Sequence, residues 1–328
     1  MASSQENDFE TSAKTNVESA INKKAIVHQF KFLEKVSEHH NFFAKDPIQK
    51  DQSYLKVIKK EISILQHFLP QGIFVKAFEN RSDLFSAMIE GPENTPYEGG
   101  LFFFEIQLPS DYPHSPPKFH YQSYNEPSEN CRINPNLYAK GCVCLSILGT
   151  YNDGPRWDPK NSSLLQVLVS IQGLILVQEP FWNEPNRLVT KYDNQDLEGL
   201  GIHFYTNKSE KTNRNILMLV FKALETIIKN TPIEFENEIR QHFASSYYNI
   251  SQKLRLWMNQ SEEDIGCNDA STKFVPPFPI ACPDKTFIRD LNGLLDHIES
   301  TVKDKYGAVQ LNSTQKISMN EYSCDICI

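Results

Sequence analysis

From Ser53 onward the hydrophobic positions fall into a readable order. Leu55, Ile58, Ile62 and Leu65 recur at helical spacing, with Lys56, Lys59 and Lys60 off that stripe. The pattern predicts a helix over 54–68, stopped by Pro70 and Gly72. Four short β-rich runs follow: Ile73–Phe78, Leu84–Ile89, Leu101–Leu108 and Lys118–Gln122. Turn formers such as Gly91-Pro-Glu-Asn-Thr-Pro and Pro109-Ser-Asp-Tyr-Pro separate them. The third run ends in apolar–polar alternation, as a half-buried antiparallel strand does. An N-terminal helix followed by a four-stranded antiparallel meander is an α+β pattern.

Residues 123–162 carry little regular pattern, and connections this long inside a compact unit are usually functional. An apolar central helix over 163–178 comes next, capped by Asn161, Ser162 or Ser163. It ends before Glu179-Pro-Phe-Trp-Asn-Glu-Pro. Beyond residue 200 the pattern predicts helices over 213–230, 235–259 and 285–305, separated by Pro232 and by Pro276-Pro277-Phe-Pro279. Residues 1–52 begin polar and acidic. Val17, Ile21, Ile26, Val27, Phe30, Leu33 and Val36 then give a helical rhythm. The expectation is a disordered start leading into a helix that docks on the body or on a partner. The chain thus divides into an extension over 1–52, a core over 53–200 and a helical C-terminal extension over 201–328. No internal repeat is evident.

Composition narrows the function. The 328 residues carry a net charge of −8 and a sequence pI near 5.6. That argues against binding to nucleic acid, whose phosphates need a basic face, and against an anionic membrane surface. The longest apolar stretch, Leu164–Val177, holds Gln166, Ser170 and Gln172 and falls short of the roughly 20 residues of a membrane span. The first residues have neither the basic region nor the apolar core of a signal peptide. Seven scattered cysteines then read as free thiols in a reducing compartment. The expected location is the cytoplasm, with access to the nucleus.

The irregular centre runs Cys131-Arg-Ile-Asn-Pro-Asn-Leu-Tyr-Ala-Lys-Gly-Cys-Val-Cys-Leu-Ser-Ile-Leu. Asn134-Pro-Asn136, followed eight positions later by Cys144-Leu, resembles the active site of ubiquitin-conjugating enzymes. That family usually carries His-Pro-Asn at the first position. The flanking features agree in order: helix 54–68, Gly91-Pro92, Pro96-Tyr-Glu-Gly-Gly100, Asp111-Tyr-Pro113, Pro116-Pro117, Trp157-x-Pro159 and Pro180…Pro185. The resemblance covers residues 53–190. Asn-Pro-Asn, Val-Cys-Leu-Ser-Ile-Leu-Gly-Thr and Gly-Pro-x-Trp are similar to the large divergent members: the Z-type, the O-type and the giant inhibitor-of-apoptosis type. Size and the helical C-terminus favour the Z type. The implied fold is that of the ubiquitin-conjugating (UBC) domain with extra C-terminal helices.

The residues themselves fit that chemistry. A thiolate accepts an acyl group from another thioester with almost no change in bond energy, so the step needs no metal and no cofactor. Cys144 sits in a turn-rich segment that offers access. A side-chain amide beside it, Asn136, suits the oxyanion of the tetrahedral intermediate formed when an amine attacks. Asn136 also suits its own turn, since Asn favours such positions. Cys142, two residues from Cys144, reads as a spectator.

The remaining roles come from the resemblance. Glu184 occupies the family's acidic gate, although it reads equally as a solvated loop charge. A second acid common two residues after the cysteine is Ser146 here. Lys56, Lys59 and Lys60 read either as a solvated helix face or as the surface that meets a ubiquitin-activating enzyme. His114, Pro159 and Lys160 align with two ligase-contact loops, with His114 and Lys160 replacing the usual aromatic and small residues. The implied partners are ubiquitin or a ubiquitin-like modifier, the activating enzyme, a ubiquitin ligase and protein substrates; ATP is consumed upstream. Inserts lie near Tyr124–Cys131 and at Gly149–Pro155. Cys324-Asp-Ile-Cys327 is a lone pair, short of the four ligands a zinc site needs. The competing expectation is a non-catalytic UBC-fold module that regulates conjugation. Such modules usually lack the cysteine, so Cys144 with Asn136 argues for the enzyme.

Overall fold

The computed structural model describes residues 28–45, 52–125, 132–151, 154–184, 201–259 and 276–307, with backbone alone over 201–206. Its centre is a five-stranded sheet in chain order: β1 (Phe30–Leu33), β2 (Ile73–Phe78), β3 (Leu84–Glu90), β4 (Leu101–Gln107) and β5 (Lys118–Gln122). Strands β2 to β5 form the expected antiparallel meander. The first strand corrects the expectation for residues 30–36. Phe30 pairs with Val75 in a parallel ladder, where a helix was expected. Four residues are too few for periodicity to separate strand from helix. The side chain of Gln29 sets the register by donating to the carbonyls of Pro70 (2.5 Å) and Ile73 (3.1 Å). The helical reading of Val17 to Val27 lies outside the described residues, as do residues 126–131, Pro185 and Cys324 with Cys327.

Helix α1 (Gln52–Phe68) buries Tyr54, Ile58, Glu61 and Leu65, while Leu55 and Ile62 are only half-buried. The stripe is therefore rotated by one residue from the apolar reading, because Glu61 takes an inward position. It does so with both oxygens occupied: Tyr112 Oη donates to it at 2.7 Å and the Leu164 N–H at 3.0 Å. A buried carboxyl with two donors avoids much of its desolvation cost, although burial still holds its pKa above the usual carboxylate range.

Helix α2 (Leu164–Ser170) is capped by Ser163, whose side chain accepts from the Gln166 N–H while Gln166 returns the bond. The expected helix over 163–178 is shorter than predicted. It widens into a π-helical turn over Ile171–Ile175 and ends at Leu176. Gly173 lies in that turn, and side chains take up its carbonyls. Asn134 Nδ2 donates to Ile175 O at 2.8 Å and Asn183 Nδ2 to Leu174 O at 3.0 Å.

Beyond residue 200 the helices are α3 (Gly201–Lys229), α4 (Glu236–His242), α5 (Tyr248–Met258) and α6 (Lys285–Tyr306). The expected helix over 235–259 is split by a π-helical turn at Phe243–Tyr247. Helix α3 begins twelve residues before the predicted 213. Ahead of Ile216, the described side chains that it buries are polar, Ser209 and Asn213. Asn213 Nδ2 donates to Gln178 O (2.8 Å) and Pro279 O (2.7 Å), and Ser209 Oγ to Glu179 (3.3 Å).

Directly paired residues share a sheet face, so the register sorts the strands into two sets. One set, including Val75, Ala77, Phe85, Ala87, Phe104 and Ile106, is apolar and joins Ile58, Leu65, Leu164 and Leu168 in the core. The other set holds Lys76, Ser86, Phe103 and Glu105. This mixed face is covered as well. Glu238 pairs with Lys76 at 2.5 Å, Phe235 meets Phe103 edge-on with ring centroids 5.6 Å apart and the Asn41 N–H donates to Glu105 at 3.0 Å. The C-terminal helices therefore continue the core of the sheet.

Candidate active site

The thiol sits on a small two-stranded ladder. Leu137 pairs with Val143 in an antiparallel bridge, and both side chains are buried. Alternation then sends the neighbours to the opposite side: Asn136 and Tyr138 on one segment, Cys142 and Cys144 on the other. Backbone bonds lock that register. The Cys144 N–H donates to Asn136 O at 2.8 Å and the Tyr138 N–H to Cys142 O at 3.0 Å. Gly141 turns the segment at φ +91°, a conformation that L side chains rarely adopt. Thr150 clamps the far side, with Oγ1 accepting from the Leu145 N–H (2.9 Å) and donating to Val143 O (2.6 Å).

Asn134 anchors the turn from beneath. Its side chain donates to Tyr97 Oη (2.7 Å) and accepts from the Asn136 N–H (2.7 Å). Tyr97 is fully buried and donates onward to Ile133 O at 3.2 Å. The residue standing where a histidine is usual is thus a structural post. Asn136 Nδ2 donates to Cys144 O at 2.9 Å, and its buried Oδ1 makes no hydrogen bond. That assignment of O and N is the one the geometry permits, because only the –NH₂ end can face a carbonyl. One N–H of the amide remains for a second acceptor.

Cys144 is half-buried and Cys142 exposed. Burial pushes the Cys144 thiol above the ordinary thiol range, and the neighbouring Cys142 adds to this. The Tyr138 hydroxyl and the Arg132 guanidinium oppose it. Arg132 and Tyr138 escaped the sequence reading, because neither belongs to the motifs and flanking features that carried it. Arg132 lies 4.0 Å over the Tyr138 ring and donates through Nε to Asn134 O at 3.2 Å and through Nη2 to Pro135 O. Its Nη1 stands 3.8 Å from Glu184 Oε1. Glu184 is thereby joined to the turn that carries Asn136.

The other predicted positions lie elsewhere. Lys56, Lys59 and Lys60 form one exposed face of α1. His114, Pro159 and Lys160 are exposed on two loops that meet where Trp157 Nε1 donates to Pro113 O at 2.6 Å. Among the described residues no group of three or more His, Cys, Asp and Glu is placed to hold a metal, and no helix is long and apolar enough to cross a membrane.

The family model described as ubiquitin-conjugating enzyme matches residues 57–196. An Arabidopsis thaliana protein named ubiquitin-conjugating enzyme E2 39 is 39% identical over 234 residues, covering 68% of this chain and 67% of its own length. The chain belongs to the ubiquitin-conjugating enzyme family. Another Arabidopsis thaliana member, E2 38, is 40% identical over 226 residues, covering 68% of this chain and 65% of its own. The human dual ubiquitin-conjugating enzyme and ubiquitin ligase BIRC6 is 38% identical over 190 residues, 57% of this chain and 4% of its own. Across four such plant relatives the chain spans from 19% to 65% of their lengths. Within the ubiquitin-conjugating enzyme family this chain is of the large Z-type kind, with the UBC fold carrying C-terminal helices.

Proposed function

We propose that the protein is an acyl-carrier enzyme of ubiquitin conjugation. In the first step the Cys144 thiolate attacks the thioester joining a modifier's C-terminus to an activating enzyme. The new C–S bond forms as the old one breaks, and the activating enzyme's cysteine departs as the thiolate, which takes up from solvent the proton that the Cys144 thiol had released. In the second step a lysine amine attacks the Cys144 thioester, an amide forms, and Cys144 leaves as the thiolate. The amine's proton passes to solvent or to a carboxylate at the mouth. Attack by the amine passes through an oxyanion that the Asn136 amide is placed to serve. A single donor aimed at such an oxygen contributes about 10²–10³ in rate, or about 2.7–4 kcal/mol.

The observation that carries this reading is the bonded pair of Asn136 and Cys144. It holds a half-exposed sulfur beside an amide with a spare N–H. Glu184 is the group that receives the lysine ammonium. Neither step needs a resident cofactor, and ATP is spent by the activating enzyme. The modifier is ubiquitin or a ubiquitin-like protein, and the substrates are proteins with accessible lysines. Lys56, Lys59 and Lys60 supply a cationic face for the activating enzyme. The loops of His114, Pro159 and Lys160 supply the ligase contact. The net charge of −8 weighs against nucleic acid and anionic membrane as partners. The expected location is the cytoplasm with access to the nucleus.

The test is a charging assay with activating enzyme, modifier and ATP, run across several modifiers. A reducible gain of one modifier mass supports the reading. No gain with any pair of activating enzyme and modifier leaves a UBC-fold binding module instead.

A further inference from the structure

A cleft of about 590 Å³ lies against the thiol ladder and has no part in the chemistry described so far. Pro109, Pro117 and Phe119 line it from β5 and the loop before it, Val143 and Leu148 from the segment around Cys144, and Cys142 opens into it. Gln107 lines it as well and is only 4% exposed. Its backbone belongs to the sheet, where it pairs with Leu84 on one side and Lys118 on the other. Its side-chain amide has no hydrogen-bond partner among the described residues. A buried amide left unpaired is costly, and this one borders an open cleft where a ligand can complete it.

The lining defines what fits. A primary amide offers both N–H donors and a carbonyl acceptor, the complement of a peptide group, which has one of each. Pro117, Val143 and Leu148 give an apolar floor for one side chain. Asp111 and Lys118, both exposed, bring one charge of each sign to the rim, so no net positive field draws a phosphate or a nucleotide. The cleft also has a place in the reaction. Cys142 and Cys144 share the outward side of the ladder and are separated by about 7 Å of extended chain, a span that a lysine side chain bridges. We propose that this cleft seats the peptide segment flanking the acceptor lysine, with Gln107 pairing its backbone amide so that the lysine is presented to the Cys144 thioester. The inference deepens the reading of Cys144 as the acyl carrier and rests on it. Gln107 is then a specificity-determining residue that never touches the reacting atoms.

The experiment is affinity labelling of the full chain. The probe is a mixture of pentapeptides whose central lysine carries a chloroacetyl group on Nζ. Chloroacetamide is the same electrophile without a peptide. Fragment-ion mass spectrometry locates the alkylated sulfur. No modifier or activating enzyme is needed, so a failure here is separate from a failure to charge. The peptides are expected to label Cys144 about ten-fold faster than chloroacetamide does, because a seated electrophile reacts at raised effective concentration. Gln107→Met, which keeps the shape and removes the amide, is expected to cut that gain about three-fold. Ser110→Trp, an exposed position that fills the cleft, is expected to abolish it. Equal rates for peptide and chloroacetamide overturn the proposal. So does a gain confined to Cys142, or a full gain kept by either variant. Gln107→Met should also melt no lower than the wild type, because its amide has no partner to lose. A lower melt would assign the amide to the fold and overturn its role in recognition.

Discussion

Asn136 and Cys144 hold each other. The side-chain amide of Asn136 donates to the Cys144 carbonyl at 2.9 Å, and the Cys144 N–H donates to the Asn136 carbonyl at 2.8 Å. The amide that would serve the oxyanion is therefore also the tie that fixes the sulfur's backbone. Asn136→Ala removes the oxyanion donor and the side-chain tie while the backbone bond from the Cys144 N–H remains, and the two effects separate kinetically. Discharge of a preformed thioester to free lysine is expected to slow by about 10²–10³. Loading of Cys144 should fall much less, because thiol exchange depends less on a spare donor. Single-turnover discharge measures the first and pulse loading the second. Equal losses in both would assign Asn136 to structure alone.

The pair Lys76 and Glu238 fastens the C-terminal helices to the sheet at 2.5 Å, with side chains 1% and 5% exposed. Lys76→Met leaves Glu238 buried without its cation, at a cost of about 3–5 kcal/mol. The double change Lys76→Met with Glu238→Leu is expected to recover most of that loss, since two apolar groups need no counter-charge. Urea denaturation of the single and double variants measures it. A double variant as weak as the single would show that shape, not charge, is decisive there.

Two buried groups on or beside the mixed sheet face give opposite pH slopes. Burial pushes the Glu105 carboxyl up to about 7, opposed by the Asn41 N–H and Gln122 and aided by Glu234. The folded chain then holds an extra proton above the ordinary value of 4.5, so stability falls as pH rises from there to about 7. Burial pushes His40 down to about 4, so the folded chain holds fewer protons below the ordinary 6.5. Stability from this group rises with pH over that span. Glu105→Gln is expected to remove the downward component, leaving a profile that climbs from pH 4.5 to 6.5. Thermal melts between pH 4.5 and 8 test this, and an unchanged profile would count against a proton on buried Glu105.

Gly141 is a point where the backbone decides the site. A Cβ there would stand 2.0 Å from His120 Cε1, at φ +91°. Gly141→Ala is expected to cost more than about 1 kcal/mol and to slow loading of Cys144. Gly149 shares the positive φ, at +71°, but a Cβ would meet nothing within 4 Å. Gly149→Ala therefore reports the strain without the clash. Equal effects would remove any special role for the fit between Gly141 and His120.

Strands β2 to β5 were legible because they are runs of five to seven residues rich in β-formers and bounded by turn residues. The structure brings together Asn136 and Cys144, which the sequence reading linked by their eight-residue spacing. What escaped has physical reasons. Phe30–Leu33 is too short to show a period and earns its conformation from the Gln29 contacts forty residues away in sequence. Ser209 and Asn213 of α3 are buried against a carboxylate and two carbonyls, and so carry no apolar signature. Glu61 points inward because Tyr112 and Leu164 receive it there. Arg132 carries no motif; its stacking on Tyr138 and reach to Glu184 exist only once the loops close.

The mechanism depends on which sulfur carries the modifier. Mass spectrometry of the loaded protein, digested without reductant, is the most direct reading. The expected result is the modifier's C-terminus on Cys144, retained in Cys142→Ser and lost in Cys144→Ala. Modifier found on Cys142, or loading that survives Cys144→Ala, would contradict it.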